Sequence, residues 1–292
     1  MLPKKGFLSL DFLVPNLALV IAFVGVELWY TAVVRPRAAE LLLEKRVKAT
    51  QATSGNKAAD MDHYQRSLYL IIKDDEPKFE IMFCLWGGMV LAYKMARVTR
   101  ERRLLKHDFI QVQEGERIIP EDALDRYKEL KIVIDRTPAW RDRLLPDCLL
   151  ASLQRFHASN SIQDAATAVK ERADIAADSL DSSLSLIRYI AWAIPAIGFV
   201  GTVRGIGHAL SFAEEAIKGN LSAVTQNLGL AFNSTYVGLI LCIFLMYLLH
   251  IVQSSQEELI IDIRHYCRDK LIEVMKVPTR ERDDIAHSHA VI

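Results

Sequence analysis

Two threonines stand in the middle of long apolar segments, where polar side chains are rare. Thr202 lies within AWAIPAIGFVGTVRGIGHALSF, and Thr235 lies within LGLAFNSTYVGLILCIFLMYLLHIV. A threonine hydroxyl can bond a carbonyl of its own helix, so it costs little in lipid. Hydroxyls can orient water or coordinate an alkali cation, but they cannot hold a proton as a charged intermediate at physiological pH. The two threonines could therefore line a narrow polar seam.

Small residues surround both threonines at intervals of three or four positions, so they share one face of each helix. The two stripes consist of Pro195, Gly198, Thr202, Gly205 and Ala209, and of Ala231, Thr235, Gly238 and Cys242. Small faces let helices approach closely in lipid, which offers no hydrophobic drive for association. The stripes indicate either a polar seam or tight helix packing alone. The residues expected to set the close approach are Gly198, Gly201, Gly205 and Gly238.

Charged residues also fall inside the apolar segments. Arg204 is two residues after Thr202, about 200° around the helix, so it points away from the small-residue face. A lone arginine in hydrocarbon costs at least ~2.5 kcal/mol, so we expect a partner or an escape to the headgroups. Glu27 in the first segment is the expected ion-pair partner, and Glu80 is its competitor. The fourth segment contains no Asp or Glu, so it supplies no obvious proton carrier.

Four apolar segments are long enough to act as transmembrane helices. We place them at 12–34, 79–95, 187–212 and 228–252. Apolar residues make up 51% of the 292, although Lys+Arg and Asp+Glu each number 36, which indicates apolar spans separated by charged segments. The zero net charge argues against a nucleic-acid surface. The predicted fold is an all-α membrane protein with four transmembrane helices and long cytoplasmic helical extensions.

Basic residues predict which side of the membrane each connection occupies. A basic cluster follows the second span, so by the positive-inside rule this end is cytoplasmic. The prediction comprises a cytoplasmic N-terminus at 1–11, external loops at 35–78 and 213–227, a cytoplasmic helical domain at 96–186, and a cytoplasmic helix and tail at 253–292. Basic residues just after the first span argue against this orientation, but the even number of spans and the N-terminal lysines, Lys4 and Lys5, outweigh them. Because no Gly or Pro interrupts the chain between Ser161 and Pro195, we expect one unbroken helix there.

The sequences GFVGTVRGIGHAL and LGLAFNSTYVGLILCI resemble the paired signature of the MotA/TolQ/ExbB proton-channel family. That signature is G-x-x-G-T-V-x-G-[IM] followed by A-[LF]-x-[TS]-T-x-x-G-L. The resemblance implies a ring-forming stator subunit of the bacterial inner membrane, as a homo-pentamer around a dimer of a single-span partner. The partner's membrane Asp would carry protons past Thr202, Thr235 and Ser234. The family is mostly proton-driven, so protons are favoured over sodium as the transported ion.

Functions of other classes are also considered. The alternative is a non-conducting oligomeric scaffold whose cytoplasmic helices recruit other proteins, and the missing acid in the fourth span favours it. An enzyme is not expected, because no nucleophile–base or metal constellation is evident. The cysteines at 84, 148, 242 and 267 lack ligand spacing, so we expect neither metal nor disulfide. No cofactor is expected.

Overall fold

The computed structural model describes residues 10–51, 68–110, 116–219 and 221–277, and the chain within these ranges is almost entirely helical. The α-helices are α1 (Leu10–Trp29), α2 (Arg35–Gln51), α3 (Leu68–Ile71), α4 (Asp75–Leu104), α5 (Pro120–Arg136), α6 (Leu144–Ser159), α7 (Ile162–Ser182), α8 (Ser185–Ser211), α9 (Ala213–Ile217) and α10 (Ser222–Lys270). These residues form no strand, although one isolated bridge joins Ile118 and Met275. The predicted all-α class is confirmed.

Four long helical stretches are apolar enough to cross a membrane. They are Phe12–Glu44, Asp75–Leu104, Ile162–Ser211 and Ser222–Val274. Three of them contain a segment predicted from the sequence, and the third stretch contains all but residue 212 of the segment 187–212, so the prediction of four transmembrane helices is confirmed. Which ends lie in the cytoplasm stays a prediction.

The first of these stretches extends beyond the predicted span. A π-helical turn, Tyr30–Val34, joins α1 to α2, and α2 continues to Gln51, where the sequence predicted an external loop. The composition of α2 explains this, because Ala, Leu, Glu, Lys and Arg are strong helix formers. The π turn ends two residues before Pro36, whose ring does not fit a regular helical turn. Residues 52–67 of the predicted loop lie outside the described ranges.

The helix predicted to run unbroken from residue 161 into the third span is divided. The α7 helix ends at Ser182 and α8 begins at Ser185. The Ser183 hydroxyl donates to the Leu180 carbonyl at 2.6 Å. Serine side chains that bond nearby carbonyls compete with the helical ladder, so the serine-rich sequence here can interrupt a helix without Gly or Pro.

The chain forms two compact units. The first comprises Met1–Lys94 and Leu184–Val252, and the second comprises Met95–Ser183 and Gln253–Ile292. The first unit carries large exposed apolar side chains such as Phe199, Phe232 and Ile243, as expected of a surface that faces lipid or other helices. The second unit has a core that includes Leu149 and Phe156, both fully buried. The first unit therefore exposes large apolar side chains on its surface, whereas the second buries such side chains in a core.

Candidate functional site

The two small-residue stripes of α8 and α10 lie against each other. A Cβ atom added at Gly205 would lie 2.5 Å from the Cβ of Ala231. Towards the other end of the contact, the Cys242 thiol donates to the Ala191 carbonyl at 3.2 Å. Residue numbers rise along one helix as they fall along the other, so the helices are antiparallel. The stripes let the two backbones approach more closely than larger side chains would permit.

The hydroxyl groups of Thr202 and Thr235 meet in the middle of this contact and are hydrogen-bonded to each other. The Thr235 hydroxyl also lies 2.9 Å from the Gly198 carbonyl, and the Thr202 hydroxyl lies 3.2 Å from the carbonyls of Gly198 and Ala231. Each hydroxyl has one proton to donate. If Thr235 donates to the closer carbonyl of Gly198, its oxygen is free to accept from Thr202. The two side chains therefore form one short hydrogen-bonded chain between the helices.

Glu80 on α4 reaches the same helix contact and is fully buried. Its Oε1 atom accepts a hydrogen bond from the Ser234 hydroxyl at 3.5 Å. A Cβ atom added at Gly198 or Gly238 would lie 2.8 or 3.1 Å from this oxygen, so the glycines leave the space that the carboxyl group occupies. Within the described ranges of the chain, the Oε2 atom has no hydrogen-bond partner. The contact between α8 and α10 therefore holds a buried carboxyl group as well as the paired threonines.

Sequence reasoning placed Glu80 at the external end of the second span and considered it only as a partner for Arg204. The available signal was the pair of glycines Gly198 and Gly238. Each lies about one helical turn from a threonine, Gly198 from Thr202 and Gly238 from Thr235, and each leaves room for a side chain from another helix. Sequence spacing alone could not indicate that this side chain comes from α4.

The ion pairs inside the spans differ from those predicted. The Arg204 Nη2 atom lies 2.7 Å from Oε1 and 2.9 Å from Oε2 of Glu76. Glu27, the predicted partner, instead pairs with Lys78 at 2.8 Å. The predicted Glu27–Arg204 pair is therefore wrong. Glu27 on α1 faces Lys78 on α4, and Glu76 on α4 faces Arg204 on α8. Glu76 is one turn before Glu80 on α4, so it lies on the same side of that helix.

Gly201 also lies where side chains of α10 and α4 come close to the backbone of α8. A Cβ atom there would lie 2.5 Å from the Ser234 Oγ and 3.0 Å from the Glu76 Cγ. The four glycines selected from the sequence thus lie at contacts between helices, three of them close to an acidic side chain of α4.

A cavity of about 240 Å³ opens beside Ser234. Its polar lining consists of Asp74, Glu76, Arg204, His208, Asn227 and Ser234. A space of this size with several donors and acceptors can hold ordered water. Within the described part of the chain, no group of three or more His, Cys, Asp or Glu side chains is arranged to bind a metal ion.

The model of the MotA/TolQ/ExbB proton channel family matches residues 141–265. This segment includes α8 and nearly all of α10, and with them the threonine pair, Ser234 and the four glycines. Helix α4, which carries Glu76 and Glu80, lies outside the match. No curated protein and no solved structure matches the chain. The chain is therefore a multi-pass membrane protein whose residues 141–265 match the MotA/TolQ/ExbB proton channel family, and this match supports a stator-type proton-channel role.

Proposed function

We propose that this chain is the ring-forming subunit of an inner-membrane motor that couples proton flow past Thr202 and Thr235 to the movement of a partner. The observation that carries the proposal is the hydrogen bond between these hydroxyls, in the middle of two apolar helices that the family match covers. A single threonine hydroxyl that bonds only a carbonyl of its own helix would be explained by helix packing alone. Two hydroxyls that meet across a helix contact create a polar point inside the membrane.

The hydroxyl pair suits proton passage because its hydrogen bonds can be exchanged. Thr202 has three acceptors within reach, which are the Thr235 hydroxyl and the carbonyls of Gly198 and Ala231. Rotation of either hydroxyl presents a lone pair or a proton to a neighbouring water or carboxyl group without leaving a buried group unpaired. The pair can therefore assist a proton carrier while it remains uncharged itself.

A carboxylate on a single-span partner would carry the proton. Protonation removes the charge of that carboxylate and lets it move past the hydroxyls in an apolar environment. One elementary charge that crosses the membrane releases ~2.3 kcal/mol per 100 mV, which is sufficient to bias stepwise rotation. Protons are favoured over sodium because the family is one of proton channels.

The assembly proposed is a homo-pentamer around a partner dimer, with both termini in the cytoplasm. Family members form membrane oligomers, and the exposed apolar side chains of α8 and α10 are consistent with helix contacts outside this chain. Val203 and Leu210 on α8 and Phe232 and Ile243 on α10 are each at least 58% exposed. Lipid or a neighbouring copy would cover such a surface in the membrane.

A non-conducting scaffold is the second candidate, and the tight packing of Gly205 on Ala231 favours it. Oligomerising membrane proteins need such close contacts whether or not they conduct. In a scaffold, the threonine hydroxyls would hydrogen-bond each other only because buried polar groups need partners.

Replacement of both threonines distinguishes the two functions. Thr202→Val and Thr235→Val keep the side-chain volume but remove the hydroxyls, so we expect assembly to persist and proton flux to be lost. Flux is measured in proteoliposomes that contain the complex purified with its single-span partner. Thr225→Val is the matched control, because the Thr225 hydroxyl bonds the nearby Leu221 and Ser222 carbonyls and, among the described residues, no group on another helix. Undiminished flux in the double variant would contradict the proposed path.

A further inference from the structure

We propose that Glu80 is a proton-binding residue, so that this chain carries an intramembrane acid of its own. The absence of an acid from the fourth span suggested that any proton carrier must come from a partner. Helix α4 instead delivers a carboxyl group to the contact between α8 and α10. The use of this group in proton flow rests on the proposed function, whereas its capacity to bind a proton does not.

Burial without a cation is the first observation. Glu80 is 0% exposed, and its Oε2 atom has no hydrogen-bond partner among the residues that the structure describes. The nearby acids differ, because Glu76 is paired with Arg204 and Glu27 with Lys78. Among the described residues, no basic side chain forms an ion pair with Glu80. An ionised carboxylate in such a place is very costly, so the site favours the neutral acid.

The second observation is that Glu80 and the threonine pair meet at one residue. Gly198 leaves the space for Oε1 of Glu80, and its carbonyl accepts the hydrogen bond of Thr235. A proton held on Glu80 is thus separated from the threonine hydroxyls by the backbone of a single glycine.

The third observation is a route for protons. Ser234 lines the polar cavity, and its hydroxyl faces Oε1 of Glu80 at 3.5 Å. A serine hydroxyl can accept a proton from a hydronium ion in the cavity while it donates its own proton to the carboxylate. The products are water, an unchanged serine and a neutral acid, so charge and atoms balance. The 3.5 Å separation exceeds a usual hydroxyl–carboxyl hydrogen bond, so transfer requires a small side-chain rotation that shortens it.

The electrostatic surroundings of Glu80 come from several elements. The titratable or charged groups that interact with it or line the cavity beside Ser234 are Glu76 and Asp74 before it in the chain, Tyr30 on the π turn, and Arg204 and His208 on α8. Arg204 is already engaged by Glu76, so its charge is largely compensated. On α10, Ser234 contacts Glu80 without carrying a charge.

Covalent labelling with dicyclohexylcarbodiimide tests the proposal in the full-length protein in membranes. This apolar reagent adds to protonated carboxyl groups, forms a stable N-acylurea and leaves ionised carboxylates unmodified. We expect mass spectrometry to find the adduct on Glu80, and labelling to fall about tenfold per pH unit once the acid ionises. Glu27, held by Lys78, serves as the internal comparison and should remain unlabelled. Glu80→Gln should abolish the adduct.

Two results would overturn the assignment. The first is an unlabelled Glu80 together with no carbonyl stretch of a protonated acid in the infrared difference between wild type and E80Q. The second is labelling of Glu80 that stays constant across the pH range, which would show that the carboxyl group neither gains nor loses a proton there. Neither measurement needs a partner or motor output, so failure here is distinguishable from failure of the threonine path.

Discussion

Arg204 on α8 and Glu76 on α4 form a two-pronged ion pair, with Nη2 of the arginine 2.7 and 2.9 Å from the two carboxylate oxygens. The Glu76 side chain is only 11% exposed, whereas that of Arg204 is 56% exposed. The acid is therefore the member of the pair that depends on its partner, and the arginine can still reach the edge of the membrane. The pair also holds α4 against α8 beside the glycine contacts.

Removal of Arg204 alone is expected to destabilise the protein more than removal of both charges. Arg204→Gln leaves Glu76 buried without its cation, at a cost of about 1.5–3 kcal/mol, because hydrogen bonds to charged groups have this magnitude. The double variant R204Q/E76Q should recover part of the loss. The measurement is thermal unfolding of the detergent-solubilised protein. Additive losses in R204Q/E76Q, or a recovery in R204Q/E27Q instead, would refute the observed pairing.

The Gly205–Ala231 contact predicts a second effect. Gly205→Ala would place a methyl group 2.5 Å from the Cβ of Ala231, so α8 and α10 must separate. We expect a loss of about 1–3 kcal/mol, the usual cost of overpacking. Ala231→Gly in the same chain should restore much of the stability by removing the opposing methyl group.

Gly207→Ala is the matched control for Gly205→Ala. It lies one half-turn away on α8, and an added Cβ would meet nothing within 4 Å. Because alanine is a better helix former than glycine, this change should leave stability unchanged or raise it by up to ~1 kcal/mol. Equal losses of stability in the two variants, measured by thermal unfolding, would show that the effect of Gly205→Ala does not come from the contact with Ala231.

The sequence predicts the helices and their small faces because both depend on local spacing. Small residues recur at helical intervals on either side of Thr202 and of Thr235, and this pattern is sufficient to place each threonine on a face of small residues. The position of Glu80 depends instead on how α4 packs against two helices more than a hundred residues away. The same holds for the choice of Glu76 over Glu27, because which acid faces Arg204 is set by the rotation of α4 and α1 in the bundle. Long-range packing of this kind leaves no local pattern.

The hydrogen bond from Tyr30 to the Ile72 carbonyl predicts a third effect. The tyrosine is 1% exposed, and its hydroxyl lies 2.7 Å from that carbonyl, so it ties the π turn to the end of α3. Tyr30→Phe keeps the ring but leaves a partly buried carbonyl unpaired, which should cost about 1 kcal/mol. Thermal unfolding in detergent measures the loss. Tyr247→Phe, at a position that is 62% exposed, should be neutral, and equal effects in the two variants would argue against a specific bond.

The Cys148 thiol predicts a dependence of stability on alkaline pH. Burial, together with the adjacent charge of Asp147, raises the pKa of Cys148 to about 12. An unfolded cysteine ionises near a pKa of ~8.5. The thiol therefore contributes its full stability below about pH 8.5, and loses about 1.4 kcal/mol for each pH unit above it, because only the unfolded chain releases the proton.

Cys148→Ala removes this titration while the other cysteines stay in place. The variant should show a constant loss at neutral pH from the smaller side chain, and a shallower fall of unfolding temperature between about pH 8.5 and 10 than the wild type. Maleimide labelling gives a second readout, because thiolates are the reactive form and the folded protein should protect Cys148. Parallel pH curves for wild type and C148A, together with rapid labelling of Cys148 in the folded protein, would show that the thiol titrates normally.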